Sequence, residues 1–481
     1  MGKPVGKNLT SPATGPVFYP AIVIGAGISG LVCAYTLRQR GLDAQIFEAS
    51  DRAGGVIRSV ERDGFLFELG PQSFTFTEPL RKLRRELRIE AQMLPAPQKL
   101  PRYLFLDGRL EAAPLSPPAF FTSPLFNKHT KWSVLRDALG RSKPPADTAA
   151  GSESIAQFVR RKFGHEVLEK LVGPFVSGIY AGDPEKLGAR SAFPQLYAAE
   201  SGYGSVIRGM LRARKRGGEA HTLAAFERGN QWLGDALAAN LGSALHLGVT
   251  AANIVVAPSR APGRFCVRFA EPQDGSATPA LLYADHVIVA TPAAVAGKLL
   301  ASVDESLTPL LASIEYAPIS VVSLGYRKAA VNNALHGFGF LAPRSTGLRL
   351  LGCVWNSSLF PGRAPEDAVL LTCFVGGALD KAVCQLAPSE LESLAHKELQ
   401  RVFGMTGGIT EPPIATNVHT WQQAIPQYDL GHYRRTQILQ QKMAAFPGLA
   451  LAGNYLEGPA VGAVVERARK VADYVLDGPL R

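Results

Sequence analysis

The stretch IVIGAGISGLVCAYTL constrains this chain more than any other part of it. A short apolar run, residues 21–24, ends at Gly25, and Gly25, Gly27 and Gly30 stand in GxGxxG register. Leu31, Ala34, Tyr35 and Leu37 then recur on one helical face until Gly41 stops the helix. Residues 44–47 read as a second strand, with Glu48 at its end. Strand, helix and strand in so short a span predict a βαβ unit. The three glycines do different things. Gly25 permits the tight turn, Gly27 admits a pyrophosphate to the backbone, and Gly30 lets the helix pack on the strand. Ala26, Ile28 and Ser29 complete the turn, whose following helix directs free N–H groups and a positive dipole end at phosphate. Glu48 follows Gly30 by 18 residues, the spacing of the carboxylate that accepts from ribose hydroxyls. The local reading is a dinucleotide site.

The rest of the composition excludes other classes. With 481 residues, 46% hydrophobic and 19% charged, the chain can bury an ordinary core in two or three units of ~150 residues. The net charge of +11 and pI near 9.4 favour an anionic partner. The basic run Arg208 to Arg216 has no nucleic-acid-binding motif around it, so no nucleic-acid partner is expected. The five cysteines are scattered singly, without ligand spacing; no metal is expected, and their number fits a reducing compartment. Residues 1–20 read as a short leader with neither signal nor transit pattern. No apolar stretch is long enough to cross a bilayer.

Further glycine turns extend the site. EASDRAGGVIRS supplies Ala49, Arg52, Gly55 and Val56, and ELGPQSF supplies Gly70, Pro71, Gln72 and Ser73. GVTAANI contains Val249, and LAGNYLEGPAVGAVVERA contains Asn454, Pro459, Ala460 and Val461. Taken together and in this order, these segments resemble the flavin amine-oxidase-type superfamily, whose members wrap FAD with both ends of the chain. The resemblance implies FAD contacted at the positions just named, with Val249 beside the adenine and the residues at 454 and 459–461 near the flavin ring; no Cys or His stands in an attachment motif, so the FAD is expected to be non-covalent.

A second set of strings narrows the resemblance: SGIYAGDPEKLGARSAFPQLYAAE, GSVIRGML, HGFGFLAP, WNSSLFPGRAPEDAVLLTCFVGG and QAIPQYDLGHY. With ELGPQSF they are similar to the oxygen-dependent protoporphyrinogen oxidases of haem and chlorophyll synthesis, from about Tyr19 to Val475. That family removes six electrons from protoporphyrinogen IX in three hydride transfers to flavin, and oxygen then returns the flavin with formation of hydrogen peroxide. The resemblance implies a propionate-binding Arg102, macrocycle contacts at Phe338, Gly339 and Leu341, and a substrate-facing Gly178. Ser177 departs from members that carry a basic residue there. No catalytic acid or base is expected, because hydride transfer needs positioning above all. The alternatives are a coproporphyrinogen III oxidase, an amine oxidase, a carotenoid desaturase and a flavin-binding scaffold.

The expected fold class is α/β: a Rossmann-like FAD-binding domain from 17–93, 222–303 and 425–480, and a mixed-sheet substrate domain over 304–424. Residues 94–221 are expected as a helical, membrane-facing insertion at the substrate entrance. Phe120, Phe121 and Phe126 look exposed in PLSPPAFFTSPLF, so peripheral attachment to the cytoplasmic face of the inner membrane is expected. The assembly allowed for is a homodimer.

Overall fold

The strand Val17–Ile24 (β1) runs through the middle of a sheet because its second half, Ala21 to Ile24, is apolar on both faces and buried on both. The computed structural model describes residues 16–97, 99–140, 153–215, 222–271 and 281–478. Most of the expected leader and Arg216 lie outside these residues. β1 continues into the helix Ile28–Gln39 (α1) and the strand Ala44–Glu48 (β2). The sheet order is Leu245–Leu247, β2, β1, Leu281–Val289, Phe265–Phe269, Ala251–Val256, and Leu449–Leu451 also pairs with Leu281–Val289. The neighbours of β1 are parallel to it, whereas Ala251–Val256 and Phe265–Phe269 form an antiparallel extension.

The two ends of the chain share one core. The last helix, Val461–Asp477, packs on α1, with Leu31, Ala34, Val465, Ala468 and Ala472 in the same buried cluster. The Cys33 thiol donates to Ala468 O at 3.3 Å.

The second sheet has the order Ala415–Pro426, Tyr316–Arg327, Ala368–Gly376, Leu350–Trp355, Gly339–Leu341, Tyr103–Leu106, Arg109–Ala112. It is mixed, since Gly339–Leu341 and Tyr103–Leu106 run parallel. The last two strands correct the expected domain division. Residues 103–112 are a hairpin of this sheet and no part of a helical insertion. Its turn is Asp107-Gly108, both at positive φ, the chemistry of a two-residue hairpin. Helices take over only from Pro117–Thr122 and continue to Val206–Lys215.

Within that helical lobe a second expectation fails. Phe120 and Phe126 are buried and stack on each other, centroids 4.5 Å apart, and only Phe121 is exposed. Two aromatic rings at the end of a proline-rich segment gain more from each other and from the lobe's own core than from solvent. The lobe still leaves Leu115, Phe121, Trp132 and Leu139 exposed. Among the described residues no helix is long and apolar enough to cross a membrane.

Candidate functional site

A cavity of about 1030 Å³ opens along the C-terminal ends of the parallel strands, where open α/β sheets place their ligands. Its floor is the glycine turn. Gly25 takes φ +100, and a Cβ there would lie 2.8 Å from Ala290 O. A Cβ on Gly30 would lie 1.8 Å from Gly25 O, so the helix could not close on the turn. Gly27 is different: a Cβ there meets nothing within 4 Å. It faces the cavity, and it is the N-cap of α1 with no side chain capping the first N–H groups. Those N–H groups suit phosphate. Gly54 N donates to Ala26 O at 2.8 Å, so the Gly54-Gly55 turn backs directly onto the first one.

Glu48 also lines the cavity. Its Oε2 accepts from Ala26 N at 2.6 Å, and its Oε1 accepts from Ser50 N and Oγ at 2.9 and 2.8 Å. A carboxylate has about four acceptor positions, so capacity remains for a ribose hydroxyl. Ile28, Ser29, Ala49, Arg52, Gly55, Val56, Pro71, Val249, Asn454, Pro459 and Val461 line the same cavity. The six other sequence-predicted cofactor positions do not. Ala26 and Gly30 serve the turn from behind. A Cβ on Gly70 would meet Val56 O at 2.1 Å, so its smallness serves packing, and Ser73 and Ala460 lie off the wall.

Gln72 is a fastener. Its amide donates to Glu68 O at 3.0 Å and Gly70 O at 2.9 Å, and accepts from Asn356 Nδ2 at 2.7 Å. The same turn hangs on Asn230, which donates to Pro71 O at 2.8 Å through its side chain and to Glu68 Oε1 at 2.8 Å through its backbone. Glu68 and Arg363 are both fully enclosed, 3.4 Å apart. Burial pushes Glu68 up to about 7 against the pull of Arg363, Ser59 and Asn230.

Several cavity residues escaped the sequence reading: Arg58, Thr291, Tyr316, His419 and Trp421. Thr291 had a signal, since it comes just after Ala290, which follows the strand Leu281–Val289 as Gly25 follows β1. His419 and Trp421 had none, because they come from the second sheet. Their rings meet edge to face at 4.3 Å, and Trp421 Nε1 donates to Leu69 O at 2.6 Å. Burial first, then Arg58 and Arg52, holds His419 below its ordinary pKa.

The predicted substrate residues lie away from this wall but meet in pairs. Arg102 is exposed, its guanidinium 4.9 Å from the Phe338 ring centroid. Gly178, on the helix Gly173–Tyr180, lies against Leu341, where a Cβ would come within 2.5 Å of Cδ2. Gly339 takes φ +133 beneath Cys353 O. Phe340, between them, belongs to the core.

The model of flavin-containing amine oxidoreductases matches residues 28–476. The chloroplastic protoporphyrinogen oxidase of Nicotiana tabacum is 32% identical over 98% of this chain and 89% of its own. The chain belongs to the flavin-containing amine oxidoreductases, among the protoporphyrinogen oxidases. Coproporphyrinogen III oxidase of Bacillus subtilis is a weaker match, 28% identical over 93% of this chain and 96% of that one. A solved structure from Exiguobacterium sp. 255-15, provisionally assigned as a protoporphyrinogen oxidase, superposes with a TM-score of 0.77 at 22% identity, covering 96% of this chain and 99% of the other. The cofactor of this flavin family member is FAD, and the uncapped helix, the open face of Gly27 and the free capacity of Glu48 fit its ADP half.

Proposed function

We propose that the chain oxidises protoporphyrinogen IX to protoporphyrin IX with oxygen as acceptor, releasing hydrogen peroxide. The observation that carries this reading is the whole-chain likeness to protoporphyrinogen oxidases, joined to the glycine-turn cradle along the cavity. FAD, bound without a covalent link, supplies the hydride acceptor. The turn at 25–30 and the start of α1 hold the pyrophosphate, Glu48 the ribose, and the segment around Asn454 and Pro459 the ring end. Trp421, tied to Leu69, closes the side nearest the second sheet.

Arg102 pairs with a propionate at the rim. Phe338, Gly339 and Leu341 contact the macrocycle, and Gly178, bare of a side chain, seats Leu341 directly against its helix. Such a site binds, orients and excludes water; none of these side chains has to move a proton. Exposed Leu115, Phe121, Trp132 and Leu139 support peripheral membrane attachment of the helical lobe.

Anaerobic mixing of the holoprotein with protoporphyrinogen IX is expected to bleach the flavin rapidly, and admission of oxygen to give peroxide and porphyrin fluorescence. Faster bleaching by coproporphyrinogen III would hand the reaction to that substrate. No bleaching by either would discard the reading. In the same assay Arg102→Ala is expected to raise KM about ten- to hundredfold, the worth of a charge-assisted hydrogen bond, with little change in reduction at saturation. An unchanged KM removes Arg102 from the pocket.

A further inference from the structure

Of the string QAIPQYDLGHY, which helps carry the resemblance, only Gln423 and Ala424 at its start line the cofactor cavity. The string leads from the end of the strand Ala415–Pro426 into the helix His432–Met443. Its contacts fall on two different parts of the molecule.

Some grip the helical lobe. Gln427 Nε2 donates to Tyr180 O at 2.9 Å, and Gly188 N donates to Tyr428 O at 2.8 Å. The guanidinium of Arg190 lies 3.5 Å from the Tyr433 ring centroid. Tyr180 is the last residue of the helix that bears Gly178. Ala181 then turns the chain at φ +48, a left-handed conformation that costs an alanine about 1 kcal/mol or more. Its carbonyl accepts from Ala378 N at 2.7 Å. The end of that helix is therefore clamped from two sides.

One contact grips the cofactor side. Tyr428 Oη donates to Asn454 O at 2.5 Å, and Asn454 lines the cavity. The Tyr428 ring is buried and cannot swing, held edge-on by Tyr180 at 5.9 Å and by His432 at 4.9 Å. Burial, with Tyr180 and Tyr316 nearby, raises the phenol well above its ordinary value, so it remains a donor at any working pH.

We propose that Tyr428, with its neighbour Gln427, is a positioning residue for hydride transfer: its hydroxyl fixes the Asn454 peptide at the cofactor cavity while Gln427 fixes the end of the substrate-side helix. One short segment thus sets the spacing between the two reactants. The substrate half of this inference rests on the proposed function; the cofactor half rests on the flavin family and the hydrogen bond alone.

The test compares Tyr428→Phe and Gln427→Leu holoproteins with the unaltered chain, all rates being taken per bound flavin. Tyr428→Phe leaves the half-buried Asn454 carbonyl without its protein donor. It is expected to keep FAD and to lower the melting temperature by only a few degrees, to shift the flavin absorption envelope and reduction potential, and to slow reduction by protoporphyrinogen about tenfold at unchanged KM. Gln427→Leu is expected to raise KM several-fold with the flavin spectrum unmoved. Wild-type reduction rate, spectrum and potential in Tyr428→Phe would overturn the inference. So would parallel loss of FAD and thermal stability, which marks an ordinary core residue. If the unaltered chain is not reduced by protoporphyrinogen, the proposed function falls, while spectrum and potential still decide the cofactor half.

Discussion

Gly27 and Gly30 carry the same side chain for opposite reasons. Gly30 is small because protein atoms already occupy the space beside it, whereas the space beside Gly27 holds no protein atom, as the proposed pyrophosphate requires. Substitution separates the two. Gly27→Val is expected to fold, since its first carbon meets no protein atom, but to be purified colourless, with the melting temperature of the flavin-free wild type. A yellow Gly27→Val protein would contradict the placement of the pyrophosphate. Both glycines were legible from the sequence, because GxGxxG is a local statement about one turn. Trp421 and His419 were not. They reach the same cavity from a strand nearly four hundred residues further on, and nothing within that strand marks the side chains that will face a ligand held by another sheet. Gln72 lay in a string rightly tied to the cofactor region, but its side chain turned inward because Glu68 O, Gly70 O and Asn356 offered a full set of partners.

At the scale of elements, the helix His432–Met443 begins with a buried imidazole. Burial, reinforced by Arg435 and opposed by Asp429, pushes His432 down to about 4. An unfolded chain binds that proton near pH ~6.5. Between these values the unfolded state holds more protons, so stability rises with pH and is lost as pH falls from about 6.5 towards 4. The loss from this one group is about 2 kcal/mol between about pH 7 and about pH 4.5. Urea unfolding at the two pH values is expected to show that difference between the wild type and His432→Phe, which has no proton to take up. Equal pH slopes in the two proteins would mean that the histidine is hydrated in the native state. The hairpin at 103–112 illustrates a different lesson for elements. Its Asp107-Gly108 turn was written in the sequence, but its membership of the second sheet was not, because the partner strand Gly339–Leu341 lies more than two hundred residues away.

The whole molecule presents a helical lobe with several large apolar side chains in solvent, Trp132 and Leu139 most of all. Peripheral attachment predicts that the protein sediments with vesicles rich in anionic phospholipid and that Trp132→Ser weakens the partition about tenfold, in line with the transfer of one large apolar side chain. Indifference to the vesicles would return the lobe to solvent. Phe120 and Phe126 show how such a face can be overread from composition: a sequence shows that rings are plentiful, and only packing decides which of them find one another.

The pairing of α1 with the helix Val461–Asp477 has a consequence for the order in which this protein can be made. Ala34 and Leu31 find their buried neighbours Val465 and Ala468 only when almost the entire chain has left the ribosome. Until then the βαβ unit is translated, and free to form its turn, but shows an uncovered apolar stripe for nearly the whole time of synthesis. Loss of this last helix to a premature stop codon would therefore strike α1, more than four hundred residues before it.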